Sequence, residues 1–385
     1  MERNHLAAPA QRDKMSVMDT HHFDAIIIGA GMAGATAGAH LSTTHRVALL
    51  EAEEVAGYHT TGRSAAIWIL NYGSADARIL TAASRGFFEA PPPGFTEVPL
   101  AHPRPVLTLA DAAQNAALEA SLDEGRVAIT LDAARAMVPA IRADWAVSAA
   151  IEKDAFDIDV AALHQGFLAQ IKRNNGVLAL RHKAGRIWRE AGLWHAAAST
   201  GEVFSAPALV NASGAWGDEV AQIAGVQQIG LQPKRRTALI IDPGRYAIQD
   251  WPLVGDMDHS WYVRPEARGK LMLSPADETD SDPCDAQPDE LDVAIAVDRM
   301  QQALDIPVHR VEHRWAGLRS FTPDRGLAIG ACAAPGFFWL CGQGGYGIQT
   351  APAAGRLLAQ LMRGEEPDAD LRAAIAPTDP KRFAA

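Results

Sequence analysis

A chain of 385 residues is long enough to bury the cores of two domains, and its net charge of −11 excludes the clustered positive surface that nucleic-acid binding requires. With 48% apolar and 21% charged residues it has an ordinary globular composition, not that of a disordered or fibrous chain. Three scattered cysteines, Cys284, Cys332 and Cys341, make neither a disulfide framework nor a zinc site, so no metal is expected and a reducing cytoplasm is the simple reading.

Residues 1–22 are polar and contain no apolar run of signal-peptide length, which predicts a disordered leader. No stretch approaches the roughly 18 uninterrupted apolar residues of a membrane span, which leaves room for peripheral contact with the inner face of a membrane. Phe23 to Ile28 is a short run rich in β-branched residues and predicts a strand buried on both faces. Gly29-Ala30-Gly31-Met32-Ala33-Gly34 follows, then an Ala-rich helix to about Leu41, then a second buried strand from Arg46 to Leu50 that ends on Glu51. Strand, glycine turn, helix, strand and acid occupy about 30 residues, the size of one βαβ unit.

Further along, Ala75 to Glu89 predicts a helix stopped by Pro91-Pro92-Pro93, and Ala112 to Leu122 a second one. A third begins after Asp159, which is placed to cap it, with Leu163, Phe167 and Ile171 at helical spacing. Short strands lead to Ala208–Gly214. From about Gly230 to Arg314 dense turns and alternating segments such as Ser260 to Arg264 predict an antiparallel sheet with an embedded helix near Glu290 to Leu304. Gly336 to Leu340 predicts a strand, Gly342 to Gly347 a glycine-rich turn, and Ile348 to Met362 the last long helix. The expected fold class is therefore α/β, a Rossmann-like nucleotide domain with a second antiparallel-sheet (α+β) substrate domain. The nucleotide domain takes residues 23–100, 153–228 and 318–385, and the substrate domain takes 101–152 and 229–317.

In the first turn Gly29 allows a sharp exit from the strand, Gly31 lets backbone approach a pyrophosphate, and Gly34 lets the helix pack on the sheet. Phosphates bind against the unpaired N–H groups and positive end of that helix, and Glu51 is at the right remove to accept adenosine ribose hydroxyls. A nicotinamide enzyme would continue in regular βα units. Here Glu51 is followed by Gly57-Tyr58-His59-Thr60-Thr61-Gly62-Arg63-Ser64-Ala65-Ala66, small and hydroxylated residues suited to backbone lying against a flavin. Near the C-terminus Gly344-Gly345-Tyr346-Gly347-Ile348-Gln349 opens a helix whose positive end suits the pyrimidine edge of a reduced flavin. Together the two loops favour FAD over a nicotinamide.

Seven stretches carry a resemblance that spans nearly the whole chain: GYHTTGRSAA from Gly57, LTAASRGFFEAPPPGF from Leu80, LHQGFL from Leu163, LVNASGAWGDE from Leu209, GLQPKRR from Gly230, WAGLRSF from Trp315, and GFFWLCGQGGYGIQT from Gly336. In these the chain resembles the FAD-dependent D-amino-acid oxidase and glycine oxidase superfamily, with the pattern of the bacterial D-arginine dehydrogenases nearest. The resemblance implies non-covalent FAD and oxidation of a small amino-acid substrate, a D-amino acid, to an imino acid that hydrolyses to the 2-oxo acid and ammonia. It implies that Ala33, Glu51, Ala52, Thr60 to Ala66, Ala184 and Gly344 to Gln349 line FAD. It also implies that Arg236 and Arg319, helped by the hydroxyls of Tyr72 and Tyr262, hold the substrate carboxylate, a bidentate pairing that fixes orientation as well as charge. With the substrate amine neutral, its lone pair assists departure of the hydride and no catalytic base is named. Read alone, Arg319 is a structural ion-pair residue and Tyr262 a core tyrosine.

At three positions the chain departs from the D-arginine dehydrogenase pattern: its histidine after Ser-Ala-Ala is Ile67, its threonine is Ile69, and its glutamate after Arg-Pro is Val106. A guanidinium facing these would lose its partner at a cost of several kcal/mol, whereas an apolar side chain gains about 1.5–3 kcal/mol. Apolar D-amino acids are expected to be preferred over D-arginine and D-lysine. Alternatively the three pack in a pocket of changed shape. Two other activities stay open: an amine oxidase of the sarcosine or glycine oxidase kind using O₂, with Cys341 near the position of a covalent flavin link, and a flavin-binding sensor without turnover. The electron acceptor, a quinone or other carrier or O₂, is not legible.

Overall fold

The computed structural model describes residues 20–384. Its central element is a six-stranded sheet in the order Val177–Ala179, Val47–Leu50, Ala25–Ile28, Ala208–Asn211, Phe337–Cys341, Ala328–Ala331. The first five strands are parallel and the last is antiparallel. Every residue of Ala25–Ile28 and Val47–Leu50 is buried, as a parallel sheet covered on both faces requires. The helix Met32–Leu41 packs against Val160–Arg173 and Ala351–Arg363, and its small residues permit that close approach.

Strand Ala25–Ile28 is the topological switch point. The next strands in the chain lie on one side of it, at 47–50 and 177–179, and the later ones at 208–211 and 337–341 lie on the other. In such sheets the crevice beyond the carboxyl ends of the strands at the switch point is the ligand site. Gly29 sits in that crevice with φ +97°, and a Cβ there would come within 2.7 Å of the Ala212 carbonyl oxygen.

The second large sheet runs Thr279–Asp280, Gln232–Ile241, Lys270–Ser274, Tyr262–Glu266, Leu253–Asp256, Val106–Ala110, Ser148–Glu152, Arg126–Ile129, with Val311–Phe321 along the far side of Gln232–Ile241. One face contributes Leu107, Leu109, Leu239 and Leu271 to a core shared with Met300 of the helix Glu290–Ala303, while Val106 and Thr108 line a cavity on the other face. Successive side chains alternate between the two faces, and every residue of Val106–Ala110 is buried. Smaller sheets join Thr20–His22, Val203–Ala206, Leu193–Ala198 and Ala184–Glu190, and Ile67–Trp68, Phe156–Ile158 and Ala101–Pro103.

Five expectations need correction. Residues 20–22, expected in the leader, form a strand parallel to Val203–Ser205, and the rest of that leader lies outside the described residues. The second large sheet, expected to be antiparallel, contains one parallel pair, Leu253–Asp256 with Val106–Ala110. These strands are joined by a crossover of more than a hundred residues, not a hairpin, so antiparallel pairing is not imposed. Strand Val311–Phe321 runs straight through the expected domain border at 317/318. The helix expected over 112–122 is only Asn115–Ala120. The last long helix opens at Ala351, not Ile348, because the glycines before it do not favour helix while Pro352 suits the first turn. By contrast Ala75–Glu89 has the expected bounds, and the Asp159 carboxylate caps its helix by accepting from the Ala162 N–H at 2.8 Å.

Candidate functional site

One cavity of about 1230 Å³ runs from the switch-point crevice to the open face of the large sheet. At the nucleotide end Gly29, Gly31, Ala33, Glu51, Ala52 and Ala184 line it. The Glu51 carboxylate is oriented by two backbone donors, Ala30 N–H at 2.9 Å and Glu53 N–H at 3.0 Å. Gly34 is not on the wall: a Cβ there would fall 1.9 Å from the Gly29 carbonyl oxygen, so this glycine sets how close the helix lies to the turn. Thr61 reaches back across the cavity, its hydroxyl accepting from the Met32 N–H at 2.9 Å and so capping a helix whose own N-cap residue, Gly31, has no side chain. Beneath the turn His164 donates Nε2–H to the Ala30 carbonyl oxygen at 2.9 Å, and burial holds its imidazole below the usual range.

Loop 57–66 forms the middle of the wall. Gly62 closes it internally, donating to the Gly57 carbonyl oxygen at 2.7 Å, and does not itself line the cavity. The Thr60 hydroxyl donates to the Leu318 carbonyl oxygen at 2.7 Å, while Ser64 donates to that of Thr60 at 2.7 Å. Arg63 touches the cavity, but its guanidinium is committed elsewhere, to the carbonyl oxygens of Ala316 at 2.9 Å and Ala286 at 3.1 Å and to the Asp285 carboxylate. It pins the loop to the large sheet. Ala65 and Ala66 complete this wall.

At the far end Arg236, Arg319, Tyr72 and Tyr262 converge on the cavity. Arg319 Nη1 donates to the Tyr72 hydroxyl at 3.1 Å. Arg236 Nε donates to the Asp277 backbone carbonyl at 2.8 Å, and Nη2 lies 3.4 Å from Glu278. Burial and the charge of Arg319 push the Arg236 guanidinium below its ordinary pKa. At Tyr262 burial acts upward, but the two facing guanidiniums outweigh it and lower the phenol. Two cations thus share one pocket: Arg236 meets Glu278 at 3.4 Å, while Arg319 has no carboxylate within ion-pair distance among the described residues, and an incoming carboxylate would relieve that imbalance. Gly345 makes room for this clamp: a Cβ there would lie 2.7 Å from both Arg319 Nη1 and the Tyr72 hydroxyl oxygen.

The profile of the DAO family, described as FAD dependent oxidoreductase, matches residues 24–361. The chain belongs to this family. Its cofactor is FAD, and the residues present fit that group: a glycine turn at a helix N-terminus, an oriented acid and a cavity that continues to Arg236, Arg319, Tyr72 and Tyr262. Among solved structures, L-proline dehydrogenase from P. horikoshii is similar with a TM-score of 0.79 and 18% identity, covering 95% of this chain and 98% of that one. Glycine oxidase from Geobacillus kaustophilus has a TM-score of 0.79 and 20% identity, covering 92% and 98%. At such identities the likeness is one of fold. Among curated proteins, FAD-dependent oxidoreductase domain-containing protein 1 of Xenopus laevis is 26% identical over 177 residues, and the match spans 40% of this chain and 34% of that protein.

In this DAO-family chain the remaining expected residues divide by use. Gly344, Gly345, Tyr346, Gly347, Ile348 and Gln349 all line the cavity. Yet the Tyr346 hydroxyl donates to the Arg325 carbonyl oxygen, which braces the turn, and burial pushes its phenol up to about 12. The Gln349 amide exchanges hydrogen bonds with the Ile69 backbone at 3.2 and 3.3 Å and donates to Thr81 at 2.9 Å, anchoring the segment that carries Ile67 to Tyr72. Ile67, Ile69 and Val106 come together with Leu253 and Tyr262 in one apolar cluster. Cys341 is buried away from the cavity, its thiol pushed up to about 12 by burial and its Sγ 3.3 Å from the Asn211 carbonyl oxygen. No cysteine lies on the cavity wall among the described residues. Sequence reasoning did not single out Leu253, Thr108, Arg126 or Glu152, which reach the wall only through cross-strand register. No helix among the described residues is long and apolar enough to cross a membrane.

Proposed function

We propose that this enzyme oxidises D-amino acids with uncharged, largely apolar side chains to 2-oxo acids and ammonia. The observation that carries the reading is the convergence of Arg236, Arg319, Tyr72 and Tyr262 beside the apolar cluster of Ile67, Ile69, Val106 and Leu253, in the cavity that begins at the glycine turn. Gly29, Gly31, Ala33, Glu51, Ala52 and Ala184 hold the adenosine and pyrophosphate portion of FAD. Thr60 to Ala66 and Gly344 to Gln349 surround the flavin portion, with Gly34, Gly62 and Arg63 acting through backbone packing and loop anchoring. FAD, when bound, accepts the hydride released from the substrate α-carbon. The two guanidiniums fix the substrate carboxylate and so the direction of the α-carbon, and such positioning is a large share of catalysis. The apolar floor favours an apolar side chain, and the carboxylate at its end, Glu152, is already paired with Arg126.

Anaerobic reduction of the flavin by a panel of D- and L-amino acids, glycine and N-methyl amino acids tests this. D-Leu, D-Met and D-Phe are expected to bleach it with kcat/KM at least 10-fold above D-Arg and D-Lys, a difference of about 1.4 kcal/mol. A panel headed by D-Arg sinks the side-chain preference. Fastest reduction by glycine or sarcosine, with hydrogen peroxide released in air, supports the second reading, an amine oxidase, which the likeness to a glycine oxidase fold makes specific. Failure of every amino acid leaves a flavin sensor.

A further inference from the structure

The cavity face of the large sheet is ordered in rows. Arg126 stands opposite Glu152, Glu152 opposite Val106, and Val106 opposite Leu253. Residues in register point to the same face, and neighbouring strands are about 4.8 Å apart. The next row holds Thr108, Gly255 and Tyr262. Moving away from the clamp, the floor therefore passes from Tyr262 to Leu253 and Val106, then to Glu152 and Arg126. The apolar stripe ends on an ion pair.

That pair is buried, with side-chain exposures of 11% for Arg126 and 7% for Glu152, and both residues line the cavity. Arg126 Nε and Nη2 both donate to the same oxygen, Glu152 Oε1, at 3.0 and 2.7 Å. Among the described residues Arg126 Nη1 and Glu152 Oε2 have no further hydrogen-bond partner. One nitrogen and one carboxylate oxygen are left without a partner, on a unit of zero net charge. The other titratable groups of this corner are Asp256, Asp258 and His259; burial and the charge of Arg126 hold the His259 imidazole below its ordinary pKa. Asp256 is engaged by Ser260, Trp261 and Gln114, and Asp258 by Gln114.

We propose that the Arg126–Glu152 pair reads the far end of the substrate side chain, admitting a neutral tip and favouring one that both donates and accepts hydrogen bonds, a carboxamide. The inference rests on the clamp assignment above, which sets where the side chain begins. A cationic tip meets Glu152 but also Arg126, and an anionic tip meets the reverse, so either charge is opposed by one half of the pair. A carboxamide can satisfy Nη1 with its oxygen and Oε2 with its NH₂, whereas an aliphatic tip leaves both unpaired.

The test uses FAD-loaded enzyme and kcat/KM for anaerobic flavin reduction by D-glutamine, D-norleucine, D-glutamate and D-lysine. D-Glutamine is expected to lead, with D-glutamate and D-lysine at least 10-fold below it. Arg126→Met, which frees Glu152, should raise the D-lysine to D-glutamate ratio about 100-fold, and Glu152→Gln should move that ratio the opposite way. If a variant does not fold, the wild type still decides: glutaramate should perturb the flavin spectrum at 10-fold lower concentration than glutarate. Equal perturbation, a charged substrate at the head of the series, or variants that keep the wild-type order overturn the inference alone. If no amino acid reduces the flavin and no carboxylate perturbs it, the clamp reading falls and takes this inference with it.

Discussion

The two ends of the cavity are built on opposite plans. At the nucleotide end Gly29, Gly31, Gly34 and Glu51 lie within 23 residues of one another, and backbone does most of the work: Glu51 is held by two peptide N–H groups and Gly34 by contact with Gly29. At the other end, proposed to take the substrate, Tyr72, Arg236, Tyr262 and Arg319 come from four separated segments, and side chains, not backbone, line the wall. Local backbone geometry makes a rigid holder for a cofactor that never changes. Side chains on a sheet face can be exchanged one by one, which lets the same fold meet different substrates.

The largest break of this contrast is expected from Arg319→Met. It removes one half of the clamp and leaves the glycine turn untouched, so kcat/KM should fall about 10²–10³-fold, or roughly 3–4 kcal/mol, with FAD content unchanged by visible absorbance. A FAD-depleted preparation would show that the two ends are not independent.

Acid should act on the nucleotide end. His40, in the helix Met32–Leu41, has its imidazole lowered to about 4 by burial and by the charges of Arg356 and Arg363. The unfolded chain takes up this proton near pH 6.5 and the folded one only near 4, so stability falls as pH drops through that window, by about 3 kcal/mol in all. Urea titrations at pH 7 and pH 4.5 should show the loss, and His40→Asn should reduce it. An unchanged pH dependence in that variant would assign the loss elsewhere.

Glu51→Gln keeps shape but removes charge. It should weaken FAD binding about 10–100-fold, roughly 1.4–2.7 kcal/mol, as loss of charge-assisted hydrogen bonds predicts, while the FAD-loaded enzyme keeps its KM. Gly345→Ala is the mildest change and the sharpest comparison, since this glycine belongs to a flavin-side turn yet touches the clamp. Its new Cβ displaces Arg319 and Tyr72 and should raise KM for the amino acid about 10-fold with FAD affinity unaltered. A rise in FAD dissociation instead would put Gly345 with the nucleotide end.

Much of this was readable in order along the chain. The switch-point strand, its glycine turn, Glu51 and the Asp159 cap follow from short-range rules of backbone conformation, and the helices Ala75–Glu89 and Val160–Arg173 from apolar spacing. The sequence places Arg63 and Tyr346 against the cofactor; both line the cavity, and only the fold shows that their polar groups bind carbonyl oxygens on other segments. Ile67, Ile69 and Val106 were grouped through resemblance, and the fold adds Leu253 from 147 positions beyond Val106.

By itself, then, the sequence determined the nucleotide half, because a tight turn, a helix start and a strand buried on both faces each leave a mark within a few neighbouring residues. Only the tertiary structure decided that Arg126 and Glu152 end the apolar floor, and that Gly345 makes room for Arg319 and Tyr72. Those facts depend on strand register and on contacts between distant segments, which local sequence does not encode.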